Sequence, residues 1–282
     1  MEIIGLETSD GVTSELRLFS AKDSQQLLLM VPAMGVPAKK YDAFAQALVN
    51  QGIGVAVTEI RGLDSSSVRA GRQVDFGYHE IVTIDLPLAL STVRELFPDH
   101  QVSVIGHSLG GQLATLFMAQ QFALGTAPER LILTASCSIY YRGWSFPTNI
   151  GFLFFTQFGN ALAKLIGHFP GKQIGFAGRE ARSVISDWAA TARHGRYELC
   201  NSDFDYEVAM GKLAKPVLAI NYADDTFAPI KATQNLLDKL SAASISKVSL
   251  SAQDINSKRA DHFSWMKQPD RVAQEIRNWL VG

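Results

Sequence analysis

The sequence predicts an α/β protein: a mostly parallel twisted sheet flanked by helices, with one helical insertion. Three observations carry this reading. Short strand-like runs alternate with segments of helical spacing along most of the chain. Those runs are apolar throughout rather than every second residue, as strands buried on both faces require. One long stretch, residues 138–213, breaks the alternation.

The elements follow in order. Residues 15–20 (ELRLFS) and 26–33 (QLLLMVPA) read as early strands. Residues 41–51 have helical spacing, with Phe44, Ala47 and Leu48 on one face. Residues 54–61 (GVAVTEIR) form a buried strand closed by Gly62, and Arg61-Gly62 reads as a structural turn. Residues 78–97 form a long helix whose apolar face includes Ile81, Ile84, Leu88 and Val93. Pro87 lies inside it and predicts a kink. A short strand at 102–105 (VSVI), a helix at 109–122 and a strand at 131–136 (LILTAS) come next. After the insertion the pattern resumes with a strand at 216–223, a helix at 233–240, a strand at 246–251 and a helix at 272–280. Right-handed crossovers distribute such helices over both faces of the sheet.

Residues 138–213 contain no convincing strand. A structureless loop of that length does not suit a compact domain, so the segment is read as a helical cap. The core domain is then formed by residues 1–137 and 214–282. Within the cap, 149–169 (NIGFLFFTQFGNALAKLIGHF) is long and apolar enough to raise a membrane-spanning reading. Gln157, Asn160, Lys164 and His168 interrupt it, and three glycines weaken it, so a cap helix is expected instead.

Composition narrows the function classes. The chain has 282 residues, 47 % of them hydrophobic and 19 % charged, with a net charge of −1. That balance offers no electrostatic attraction for nucleic acid or an acidic membrane. Cys137 and Cys200 make neither a disulfide framework nor a zinc cluster, and are read as ordinary core or near-core thiols. No metal or other cofactor is expected. The first residues, MEIIGLETSDG, lack a basic region followed by an apolar run, which predicts no secretion signal and a cytoplasmic protein.

The chemistry-bearing motif is Gly106-His107-Ser108-Leu109-Gly110, followed by Gly111. A bare GxSxG arises by chance in about one chain in ten at ordinary glycine usage. Here a strand precedes it and a helix follows it, the setting of a nucleophile elbow. The tight turn lifts the Ser108 hydroxyl above the sheet edge, and side chains at positions 106 and 110 would collide with neighbouring backbone. The helix N-terminus directs unpaired amides toward the reacting centre.

With this motif the sequence resembles the α/β-hydrolase superfamily in its serine-nucleophile branch, over about residues 26–280. It is similar within it to a group of bacterial predicted hydrolases that share PAMG near the start and GHSLGG at the elbow. The resemblance implies the triad order serine, acid, histidine. Ser108 needs a base to take its proton and a carboxylate to orient that base. His262, in RADHFSW, is the histidine beyond the last strand, where the superfamily places its base. The acid is expected after the strand at 216–223, where Asp224 and Asp225 are adjacent. The superfamily spacing of acid, three residues, proline fits Asp225 with Pro229 and leaves Asp224 as a turn-capping neighbour. The resemblance also implies an oxyanion hole from the backbone amides of Leu109 and, by position, Met34. Pro32-Ala33-Met34-Gly35 departs from the His-Gly pair that many relatives carry there.

The cap sequence is rich in aromatic residues, from Tyr140, Trp144 and Phe152 to Phe176, Trp188 and Tyr197. Most are expected to pack the cap on the core, and together they give an apolar route to Ser108. Five arginines also lie there (Arg142, Arg179, Arg182, Arg193, Arg196), with solvated surface as their expected place. The expected activity is hydrolysis of a small-molecule carboxylic ester or thioester with an apolar acyl or aromatic group. An acyltransferase using the same triad is the alternative. A non-catalytic binding protein sits less well with an intact Ser108, Asp225, His262 set, and an aspartate-nucleophile enzyme is disfavoured by the serine.

Overall fold

The chain opens with an antiparallel hairpin, β1 (Glu2–Glu7) and β2 (Thr13–Phe19). β3 (Gln26–Val31), α1 (Asp42–Asn50) and β4 (Gly54–Thr58) follow. A broken helix comes next: α2 (Tyr78–Glu80), a π-helical stretch Ile81–Asp85, then α3 (Leu86–Leu96). β5 (Gln101–His107), α4 (Leu109–Ala123) and β6 (Leu131–Thr134) complete the first half. Between β6 and β9 lie α5 (Thr148–Ile166), β7 (His168–Pro170), the single turn α6 (Gly171–Ile174), β8 (Arg179–Ala181), α7 (Arg182–His194) and α8 (Tyr206–Lys212). β9 (Pro216–Tyr222), α9 (Ile230–Leu237), β10 (Ser244–Leu250) and α10 (Asp270–Val281) end the chain. This computed structural model describes residues 1–21 and 24–282.

Eight strands form one sheet in the order β1-β2-β4-β3-β5-β6-β9-β10. β2 runs antiparallel to β1 and β4, and every pair from β4 to β10 is parallel. β3 shows why its sequence is apolar throughout. Leu27, Leu29 and Val31 enter a core with Leu86 and Leu90 of α3 and Leu113 of α4. Leu28 and Met30 point the other way, to Phe44 and Leu48 of α1 and Ile276 of α10. Each such fully buried side chain stabilises the fold by about 1.5–3 kcal/mol. The expected layered α/β-hydrolase architecture is thus present.

Three local features differ from the sequence reading. β1 pairs along its whole length with β2, although its sequence carries no strand-like apolar run. It is an edge strand, mostly exposed, so burial left little pattern to read. The insertion holds a small two-stranded sheet, β7 with β8, where no strand is expected. Three residues per strand are too few for a period to show. The kink expected at Pro87 takes the form of a π-helical stretch ahead of it. Proline has no N–H to give the carbonyl four residues back and its ring crowds that carbonyl, so the wider turn accommodates it.

In the insertion, α5 packs against α7, while α8 packs against α4. Asp187 of α7 accepts the Tyr78 amide at 3.0 Å and so ties the insertion to the start of α2. Among the described residues, no helix is long and apolar enough to cross a membrane. Arg61 holds the turn after β4, bonding Asp85 at 2.6 Å and Asp10 at 2.5 Å, as its structural reading expects.

Candidate active site

β5 runs into Ser108, and α4 starts at the next residue. Ser108 has φ 54° and ψ −119°, a conformation that L-residues avoid and that costs on the order of 1–3 kcal/mol. The close packing of the turn enforces it. A Cβ on Gly106 would overlap the Gly110 carbonyl, and one on Gly110 would overlap the carbonyl oxygens of Val31 and Pro32. The turn is therefore pressed against the end of β3, and glycine is needed at both positions.

The structure brings Ser108, His262 and Asp225 together. His262 Nε2 lies 2.8 Å from Ser108 Oγ, and His262 Nδ1 lies 2.8 Å from Asp225 Oδ2. Asp225 sits in the turn after β9. Its second oxygen, Oδ1, accepts the amides of Phe227 and Ala228 at 2.8 and 2.9 Å. These bonds aim the carboxylate and leave one oxygen for the imidazole. Asp224 faces elsewhere: its Oδ2 accepts the Ala260 amide, and its own amide donates to the Ala260 carbonyl, both at 2.8 Å. It anchors the loop that carries His262.

His107 points away from the cavity, into a buried network. Tyr41 Oη lies 2.8 Å from His107 Nδ1 and accepts the Ala33 amide at 2.8 Å. His107 Nε2 lies 3.0 Å from the His262 carbonyl, which also accepts Trp265 Nε1–H at 3.1 Å. Burial, with a contribution from neighbouring His262, holds the His107 pKa well below the ordinary histidine value. A neutral ring with its proton on Nε2 satisfies every partner.

Met34 and Leu109 both face the cavity above Ser108. Among the described residues, neither backbone amide has a protein acceptor. The Pro32-Ala33-Met34-Gly35 turn closes with the Val36 amide on the Ala33 carbonyl at 3.1 Å, and Gly35 has φ 70°. Gly35 also lies flush against the Ala177–Gly178 backbone, where a Cβ would collide. Without the His-Gly pair, the turn still holds an amide with no acceptor among the described residues, on a residue that lines the same cavity as Ser108.

The cavity over Ser108 has a volume of about 530 Å³. Trp144, Phe152, Phe155, Phe176 and Trp188 from the insertion line it together with Phe227 and Phe263. Trp144 stacks on Phe152 with ring centres 4.4 Å apart, and Phe152 meets Trp188 edge-on at 5.6 Å. No lysine, arginine, aspartate or glutamate side chain is among the lining residues, so none of the five insertion arginines reaches it. Not every insertion aromatic packs inward: Phe146, Phe154 and Phe158 stand exposed on the outer side. Among the described residues, no group of histidine, cysteine and carboxylate side chains is placed to hold a metal ion.

Cys137 and Gln112 are among the lining residues that the sequence did not foretell. Cys137 is buried at the cavity wall, its thiol 3.7 Å from the Phe227 carbonyl, with burial pushing its pKa up. Gln112 lies in α4, four residues after Ser108, and lines the same cavity. That helical spacing was the signal that could have found it.

Comparison with known proteins agrees with this architecture. Residues 22–250 match the family described as serine aminopeptidase, S33. Among solved structures, a hydrolase from Pseudomonas aeruginosa PA01 superposes with a TM-score of 0.63 at 18 % identity, covering 100 % of this chain and 99 % of that one. The enol-lactonase from Burkholderia xenovorans LB400 gives 0.61 at 14 % identity, covering 99 % and 100 %. Est1E from Butyrivibrio proteoclasticus, solved with ferulic acid bound, gives 0.62 at 13 % identity, covering 99 % and 98 %. Among curated proteins no sequence matches. The family match spans most of the chain, and the chain belongs to the serine aminopeptidase S33 family of the α/β-hydrolase superfamily.

Proposed function

We propose that the chain is a serine hydrolase that cleaves a carboxylic ester or thioester bearing an apolar acyl or aromatic group, through an acyl-enzyme on Ser108. The observation that carries this is the Ser108–His262–Asp225 hydrogen-bond chain at the floor of an aromatic cavity. His262 Nε2 takes the Ser108 proton as Oγ attacks the carbonyl carbon. Asp225 stays ionised, holds Nδ1–H and stabilises the imidazolium. The amides of Met34 and Leu109 receive the developing oxyanion, each contributing roughly 3–4 kcal/mol. His262 then protonates the leaving alcohol or thiol. Water, activated by the same imidazole, releases the acid and restores Ser108.

Residues 138–213 act as the cap in this reading, and α5 and α7 supply Phe152, Phe155 and Trp188 to the aromatic wall. The lining offers no carboxylate to pair with an α-ammonium group. Burying an unpaired ammonium is costly, so apolar esters suit the cavity better than peptide N-termini.

The test is a series of p-nitrophenyl esters, acetyl to octanoyl, on wild type and Ser108→Ala. Turnover is expected to rise with chain length and to fall on the order of 10⁶ in kcat without Ser108. Indifference to chain length would contradict the apolar acyl site. Retained turnover in Ser108→Ala would contradict the nucleophile.

A further inference from the structure

In a cavity wall of mostly aromatic and aliphatic side chains, beside Cys137, Thr148 and Thr226, Gln112 presents a hydrogen-bond donor. It is 3 % exposed, and it lines the cavity from the second turn of α4. Its Oε1 accepts Tyr197 O–H at 3.2 Å. Tyr197 is 1 % exposed, and a hydroxyl so buried needs an acceptor. Ser138 also lies within hydrogen-bond reach of that hydroxyl, and the bond to Oε1 leaves Nε2 as the amide's free donor in a side chain that lines the cavity. Nε2 has no acceptor among the described residues. A buried donor left unpaired costs about 1–3 kcal/mol, and an oxygen on a bound molecule that fills the cavity would remove that cost.

We propose that Gln112 selects esters whose hydrocarbon acyl arm carries a hydrogen-bond acceptor oxygen, a keto-acyl ester being the simplest. This rests on the ester-hydrolase reading above and names the substrate class for it. The Gln112 backbone amide meets the Ser108 carbonyl at 3.4 Å and both residues line the cavity, so the oxygen belongs a few bonds from the scissile carbonyl. Shape alone discriminates weakly between apolar chains, whereas a site that pairs a buried polar group rejects the analogue lacking the partner.

The experiment follows kcat/KM by pH-stat for ethyl hexanoate and ethyl 3-, 4- and 5-oxohexanoate. The ethyl group keeps the acyl chain as the arm that fills the cavity. Wild type, Gln112→Met and Tyr197→Phe are compared by the ratio of each oxo ester to ethyl hexanoate. Intrinsic ester reactivity cancels when the ratios of two enzymes are compared. At one oxo position the wild-type ratio is expected to exceed the Gln112→Met ratio about tenfold. Tyr197→Phe frees the amide to rotate and is expected to lower the same ratio several-fold. It also carries the test should Gln112→Met fail to fold. Equal ratios at all three positions, or a uniform loss on all four esters, would overturn the proposal and leave Gln112 a packing residue. Failure of wild type to hydrolyse ethyl hexanoate and the oxo esters alike would instead remove the ester-hydrolase reading, a result that equal ratios cannot produce.

Discussion

Replacing Glu180 by glutamine is expected to stabilise the protein at alkaline pH and to leave it unchanged near pH 4. Glu180 lies in β8, is 6 % exposed, and accepts the Gly178 amide at 2.8 Å. Burial raises its carboxyl pKa from 4.5 to about 7, against a smaller opposing effect of the Gly178 bond. Below pH 4.5 the side chain is protonated in both the folded and the unfolded chain. Between 4.5 and 7 the unfolded chain releases its proton first, so the folded state loses stability as pH rises, and the loss levels off above 7. Two and a half pH units at about 1.36 kcal/mol each give roughly 3 kcal/mol. Glutamine keeps the Oε1 acceptor for Gly178 and removes the charge. At about 2–4 °C per kcal/mol for a domain near this size, the melting temperature is expected to rise by roughly 6–12 °C at pH 8.5. Thermal melts followed by circular dichroism at pH 4, 6 and 8.5 measure this. A difference that does not change with pH, or a glutamine variant less stable at pH 8.5, would refute the reasoning. The effect bears on the site because the Gly178 backbone rests on Gly35, next to Met34.

Two further predictions separate residues that lie close in sequence. Asp225→Asn is expected to lower kcat by about 10⁴, since the imidazole would be held in the wrong tautomer. Asp224→Asn keeps an oxygen for the Ala260 amide and is expected to cost less than tenfold. Steady-state kinetics on one good ester compares the two, and equal losses would contradict their assigned roles. His107→Phe leaves the Tyr41 hydroxyl without its ring acceptor and removes one of two donors to the His262 carbonyl. It is expected to destabilise the fold by about 2–3 kcal/mol in a urea titration, and an unchanged midpoint would contradict it.

The sheet was legible because its strands are buried on both faces. β3 and β4 read as uninterrupted apolar runs, and the helices between them carry one apolar stripe each. Ser108 was legible because its glycines answer to local backbone contacts. The choice between Asp224 and Asp225 came from family spacing, and in the fold the two carboxylates differ: that of Asp225 meets the His262 ring, whereas that of Asp224 takes the Ala260 amide of the same loop. What stayed hidden depends on distant contacts. β1 is an exposed edge whose partner alone makes it a strand. Phe154 and Phe158 look like core residues in sequence, yet α5 turns them outward while Phe152 and Phe155 face the cavity. Tyr41 and His107 are far apart in the chain, and no local pattern links them.

That last pair explains how one strained serine can be held in register with two separate loops. The Ala33 amide donates to Tyr41, Tyr41 to His107, and His107 to the carbonyl of His262. The chain starts beside Met34, passes through the neighbour of Ser108 and ends on the backbone of His262. The proposed oxyanion donor, nucleophile and base are thus fixed by one buried string of bonds rather than by three independent loops. The string tolerates a single protonation state. Tyr41 has already accepted one N–H, so its hydrogen must go to Nδ1. The His262 carbonyl can only accept, so the ring proton must sit on Nε2. A second ring proton would set N–H against O–H inside the core, and burial keeps His107 neutral. The histidine of the GHS motif therefore positions the site through its neutrality, while the histidine proposed as the base lies beyond the last strand of the sheet.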